Sequence, residues 1–144
     1  MEKFPWPIDD EAVIRVIASH VLEHINPHKG VFIDVMNEIW RVMKPNGQFA
    51  FVVPHGQSLG YIQDPTHCNP INEVTMHYFD PDPEQLSPMG ASLYNFYKPK
   101  PWKIVQQYFD QEGNMEVLLR KRRDDPSYHG VYPIEDLTKL EDKA

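Results

Sequence analysis

Two short apolar runs flanking an amphipathic stretch, between residues 12 and 53, constrain this chain more than any other feature. Residues 12–18 (Ala-Val-Ile-Arg-Val-Ile-Ala) are β-branched and almost continuously apolar. That pattern predicts a strand buried on both faces, as in a parallel sheet. Residues 19–25 follow as a turn of helix, ended by Asn26-Pro27. From residue 28 to 43 the apolar positions are Val31, Phe32, Val35, Met36, Ile39, Trp40 and Met43, which draw a stripe down one side of a helix. Asp34, Asn37, Glu38 and Arg41 fall on the opposite side. Lys44-Pro45-Asn46-Gly47 supplies a helix stop and turn, and residues 48–53 form a second buried-type strand closed by Pro54. Strand, helix and strand at this spacing make a right-handed βαβ unit.

The rest of the chain has weaker periodicity. Residues 55–101 are rich in proline and predict a long loop with one or two helical turns; loops of such length are usually functional. Residues 102–109 and 115–121 alternate apolar with polar side chains around Asp110-Gln111-Glu112-Gly113-Asn114, the pattern of an antiparallel hairpin. Trp102, Tyr108 and Phe109 are expected to pack within that hairpin. A boundary near residue 122 separates this domain, residues 1–122, from a charged tail, residues 123–144, with a helical stretch at 134–140.

Composition excludes several functions. A formal charge of −7 argues against a general binder of nucleic-acid backbone, and the basic run at 120–123 is followed at once by Asp124-Asp125. The single cysteine, Cys68, excludes an internal disulfide and a four-cysteine zinc site. No apolar run approaches the roughly 20 residues of a membrane span, and the N-terminus has no apolar signal core. The expectation is a cytoplasmic protein with neither nucleic acid nor membrane as a partner.

Four ordered segments carry a family resemblance. They are Phe4-Pro5-Trp6-Pro7-Ile8-Asp9-Asp10, Ala18-Ser19-His20-Val21-Leu22-Glu23-His24-Ile25, Glu38-Ile39-Trp40-Arg41-Val42-Met43-Lys44-Pro45-Asn46-Gly47, and Val53-Pro54-His55 with Asp64-Pro65-Thr66-His67 after it. In this order and spacing the chain resembles the C-terminal half of a class I, Rossmann-like, S-adenosylmethionine-dependent methyltransferase of the type 11 kind, over roughly residues 2–120. The resemblance implies an α/β fold: a partial Rossmann-like sheet of about two parallel strands around a helix, then an antiparallel hairpin. The implied spatial order is first, second, fourth, third strand. It also implies S-adenosylmethionine as cofactor and methyl transfer to a small molecule or glycan.

The family's glycine-rich cofactor turn is not among these segments. The seven glycines, at 30, 47, 56, 60, 90, 113 and 130, include no G-x-G. The resemblance implies three further strands with their helices, about 60–90 residues, preceding the matched part. The chain alone is therefore expected to be inactive, with its cofactor half supplied by a partner or an upstream segment. A strand edge and a sheet face would then be uncovered, which predicts a homo-oligomer or a partner chain over them. A non-catalytic structural or interaction module that oligomerises through this sheet is the alternative reading.

Within that frame Ser19, His20 and Val21 are the candidate cofactor contacts, at the carboxyl end of the first strand where open α/β sheets place ligands. His55, Asp64 and His67 are the candidate catalytic residues on the acceptor side, a histidine near neutral pKa being suited to removing a proton from the acceptor. Asp64 and Thr66 are equally good capping residues. His20, Glu23 and His24 share a face if a helix runs there, and His28, His55, His67, Cys68 and His77 could add metal ligands. A histidine-based metal-binding protein is thus a further alternative, although methyl transfer itself requires no metal and none is assigned.

Overall fold

Strands β1 (Val13–Ser19), β2 (Met43–Pro54), β3 (Trp102–Phe109) and β4 (Asn114–Lys121) form one sheet in the order β1-β2-β4-β3. The computed structural model describes residues 1–82 and 92–130. β1 and β2 are parallel, and β4 runs antiparallel to both β2 and β3. The βαβ unit, the terminal hairpin and their spatial order are those the sequence predicts. The helical stretch expected at 134–140 lies outside the described residues.

Helix α1 (Val31–Val42) makes the crossover, preceded by a 3-10 turn at His28–Gly30. Gly30 lies in the left-handed region (φ 75°), where glycine lets the chain turn into the helix. The apolar stripe of α1 then covers one sheet face. Phe32, Val35, Met36 and Ile39 pack with Phe49, Phe51 and Val53 of β2 and Met115, Val117 and Leu119 of β4. Each such side chain contributes about 1.5–3 kcal/mol by leaving water. On its outer side, Arg41 reaches both Glu38 and Asp10 at 2.6 Å, and Glu38 accepts the Trp6 N–H at 2.6 Å. These bonds tie the N-terminal segment to the helix. The Arg41 hydrogen bond holds the Glu38 carboxyl below its ordinary range.

Three expectations are corrected. The turn at residues 44–47 does not separate helix from strand: β2 begins at Met43, directly after α1, and the turn bulges out within it. Val13 pairs with Met43 and Arg15 with Gln48, so several residues of β2 lie opposite one of β1. Asn46 takes a left-handed conformation (φ 61°). Gly47 lies so close to other backbone that a Cβ there would meet the Lys44 carbonyl at 2.8 Å and the Ile14 carbonyl at 2.9 Å.

The strand at residues 12–18 is not buried on both faces. Ile14 is 66% exposed and Ile17 71% exposed. Register places Ile17 beside Ala50 and Leu118, and Ser19 beside Val52 and Glu116, on the sheet face opposite α1. In the hairpin, Trp102 is fully buried, but Tyr108 and Phe109 are about half exposed and are not core.

The long loop contributes more to the core than its composition suggests. Among its described residues are three short helical turns, α2 (Leu59–Ile62), a 3-10 turn at Thr75–Tyr78, and α3 (Tyr94–Tyr97). Ile71, Met76, Phe79 and Tyr94 are buried. No helix among the described residues is long and apolar enough to cross a membrane.

Candidate functional site

The parallel pairing of β1 with β2 brings their carboxyl ends side by side. Ser19 is the last residue of β1, opposite Val52, and the His20 N–H donates to the Val52 carbonyl at 2.8 Å. His20 adopts a left-handed backbone (φ 53°) that turns the chain off the sheet. Past Val21 only one 3-10 turn follows, Leu22–His24, rather than the fuller helical turn expected over residues 19–25. The turn still gathers its polar side chains. His20 Nδ1 lies 3.5 Å and His24 Nε2 3.8 Å from Glu23 Oε1.

The second part of this cluster arrives from the long loop. The N–H groups of Cys68 and Asn69 both donate to the Glu23 carbonyl, at 2.9 and 3.0 Å, and Asn69 Nδ2 donates to the Leu22 carbonyl at 3.0 Å. This backbone latch presses His67 against His24, with ring centroids 4.8 Å apart in an edge-on arrangement. Asp64 sits beside both: its Oδ1 accepts from the Thr66 N–H and hydroxyl, at 2.8 and 2.7 Å. Those two bonds hold the Asp64 carboxyl below its usual range. Asp64 Oδ2 lies 3.7 Å from His67 Nε2. Asp64 thus caps a turn and also orients the cluster.

His55 belongs to a different group. The chain leaves β2 at His55, which bridges to Ile71 in parallel, bringing Glu73 within reach. His55 Nε2 lies 2.8 Å from Glu73 Oε2, and Nδ1 accepts the Gln57 N–H at 3.2 Å. Both ring nitrogens are therefore engaged, with Nε2 the donor to Glu73. The bond from its own N–H and the His55 contact hold the Glu73 carboxyl below its ordinary range. His55 and Glu73 line an open recess of about 340 Å3 with Ser58, Phe109 and Asp110.

The structure therefore unites Asp64 and His67 with His20, Glu23 and His24, and places His55 with Glu73. Sequence reading missed Glu73. A carboxylate in a proline-rich loop carries no spacing signal, and the bridge that delivers it is tertiary.

No family model matches the sequence, and no curated protein matches it. Among solved structures, a SAM-dependent methyltransferase from Archaeoglobus fulgidus superposes with a TM-score of 0.51 at 14% identity, over 79% of this chain and 62% of that one. A SAM-dependent methyltransferase from Aquifex aeolicus gives 0.44 at 14% identity, over 81% of this chain and 50% of its own. The [4+2]-cyclase SpnF gives 0.45 at 12% identity, over 83% and 53%. The fold likeness rests on the first of these, and this chain spans less than two thirds of that protein's length. With its strand order and antiparallel final hairpin, the chain thus shares an α/β fold with that methyltransferase structure over 79% of its own length.

Proposed function

We propose that this chain is a SAM-dependent methyltransferase-related protein that supplies one side of a methyl-transfer site and does not hold the cofactor by itself. The observation that carries this reading is the paired carboxyl ends of β1 and β2. Ser19, His20 and Val21 turn off the sheet there, anchored by the His20–Val52 backbone bond. Open α/β sheets bind ligands at such ends, and exposed backbone at Ser19–Val21 suits contact with the methionine part of S-adenosylmethionine. His55 and the Asp64–His67 loop border the same end and suit the acceptor side. Since both His55 nitrogens are occupied, proton removal by His55 requires release of the Gln57 N–H from Nδ1.

The backbone cradle for the cofactor's other side needs glycines in close approach, and no G-x-G occurs in this chain. Titration calorimetry with S-adenosylhomocysteine is expected to show binding no tighter than about 100 μM, roughly −5.5 kcal/mol. Micromolar binding by the isolated chain would overturn this reading.

The open sheet face supports a second reading, a module that associates with a second copy of itself. Ile17, Ala50, Val52, Leu118 and Tyr108 line a shallow depression of about 240 Å3 there. β1 is also an edge of the sheet, with no strand on its outer side among the described residues. An apolar face continuous with an unpaired edge is the arrangement that folded proteins cover by pairing. Size-exclusion chromatography with light scattering is expected to give a dimer or larger species at micromolar concentration, shifted toward monomer by Ile17→Lys. A clean wild-type monomer contradicts it.

A further inference from the structure

We propose that Glu23, His24 and His67 form a binding site for a divalent transition-metal ion of the zinc class. The inference does not rest on the methyl-transfer reading, since every residue in it belongs to this chain.

Glu23 is the starting point. Its side chain is 1% exposed, yet neither carboxylate oxygen receives a hydrogen bond. A buried carboxylate without donors is costly unless a cation or proton compensates it. The groups facing it are His20, His24 and, across the cluster, His67. One ligand atom from each of Glu23, His24 and His67 can be chosen so that all lie within 4.8 Å of one another.

The hydrogen bonds around the two histidines fix which nitrogen is free. His67 Nδ1 lies 2.8 Å from the Tyr61 carbonyl, which can only accept, so Nδ1 carries the proton and Nε2 keeps its lone pair. His24 Nδ1 lies 3.1 Å from Thr66 Oγ1. The single hydroxyl proton of Thr66 goes to Asp64 Oδ1, so Thr66 accepts from His24, and His24 Nε2 is again the free nitrogen. Histidines that ligate metals have their second nitrogen held in just this way, by a carbonyl or a polar chain leading to a carboxylate.

Two imidazoles and a buried carboxylate thus face one another, a donor set that a positive charge among them would satisfy. The observed His20 and His24 separations from Glu23 are 3.5 and 3.8 Å, and that between His67 and Asp64 is 3.7 Å. Contraction around an ion is a small rotamer adjustment from there. Two histidines and a glutamate, with a fourth position open to water, make a donor set suited to zinc. The ion would clamp residues 66–69 to the end of β1, reinforcing the latch between Glu23 and Cys68-Asn69.

The test uses the whole chain after treatment with chelator. Titration with Zn2+ is expected to show one ion bound per chain, a raised melting temperature, and, with Co2+ in its place, visible d–d absorption bands. His67→Ala should weaken Zn2+ binding by more than about 100-fold, and Thr66→Val, which frees His24 to rotate, by roughly 10- to 100-fold. Glu23→Gln should abolish the Co2+ bands; should that variant fail to fold, the more exposed His24→Ala serves instead. His28→Ala, outside the cluster, should bind as wild type. Absence of Zn2+ heat and of Co2+ bands in the wild type, wild-type affinity in His67→Ala, or equal loss in His28→Ala would each overturn the proposal.

Discussion

Replacing Asp80 by alanine is expected to cost the fold about 1.5–3 kcal/mol, the range for losing hydrogen bonds to a buried charged group. Asp80 is 1% exposed and anchors the end of the long loop to the hairpin. Its Oδ1 accepts from the Asp82 N–H at 2.9 Å and from Arg122 at 3.0 Å, and its Oδ2 accepts from the Ile104 N–H at 2.8 Å. β3 is an edge strand, so the Ile104 N–H has no strand partner to replace the carboxylate. Next to it, the Trp102 N–H donates to the Phe79 carbonyl, and Arg122 Nε donates back to the Trp102 carbonyl at 3.0 Å. Alanine would leave the part-buried Ile104 N–H without its acceptor, and among the described residues Arg122 would keep only Asp82, at 3.3 Å, and the Trp102 carbonyl. Asp80→Asn keeps one acceptor oxygen and should lose about half as much. Urea unfolding followed by circular dichroism measures both. A midpoint for Asp80→Ala within about 1 kcal/mol of wild type would show that water replaces these bonds, and that the loop is not held by them.

The elements that reading the sequence located are those where one side of a repeating unit must be apolar. The α1 stripe from Phe32 to Ile39 and the alternation of β4 are such cases. The turn Asp110–Asn114 was legible for a different reason. Asp110 accepts the Glu112 and Asn114 N–H groups at 2.8 and 2.9 Å, and Gly113 takes the positive φ (88°) the turn needs. What the sequence concealed is tertiary. Ile14 and Ile17 read as core because a strand's composition does not say whether the same chain covers both its faces. The bulge at 44–47 reads as a plain turn because the Gly47 contact with the Ile14 carbonyl comes from another strand. Met76 and Tyr94 carry no periodicity because each sits in a helical turn of only four residues, and Phe79 lies just past the first of these.

The site divides the same way. Offsets of three and four suggested His20, Glu23 and His24 as neighbours, but the structure unites them through a left-handed His20 and a short 3-10 turn rather than a helix. His67 was a candidate on its own, but its meeting with His24 depends on two backbone bonds to the Glu23 carbonyl. No spacing encodes those bonds. The burial of Glu23 also depends on the folded loop, so the feature that most distinguishes the cluster was invisible in the sequence.

Trp102 should separate packing from hydrogen bonding at the core. Its ring is fully buried and lies 5.9 Å from the Phe49 ring, where the start of β3 meets the middle of the sheet. Trp102→Ala is expected to destabilise by about 3–5 kcal/mol, through lost transfer energy and the cavity left behind. The indole N–H, however, has no hydrogen-bond partner in its buried position. An unsatisfied buried donor costs about 1–3 kcal/mol, so part of the ring's packing energy is offset by the group it carries. Trp102→Phe removes that donor together with some of the volume. Its net effect should therefore be small, within about 1.5 kcal/mol of wild type, the range of tolerated apolar exchanges. Thermal and urea unfolding of the two variants side by side test this. If Trp102→Phe falls as far as Trp102→Ala, the indole nitrogen contributes favourably, and a water or a shifted neighbour must accept its proton in solution.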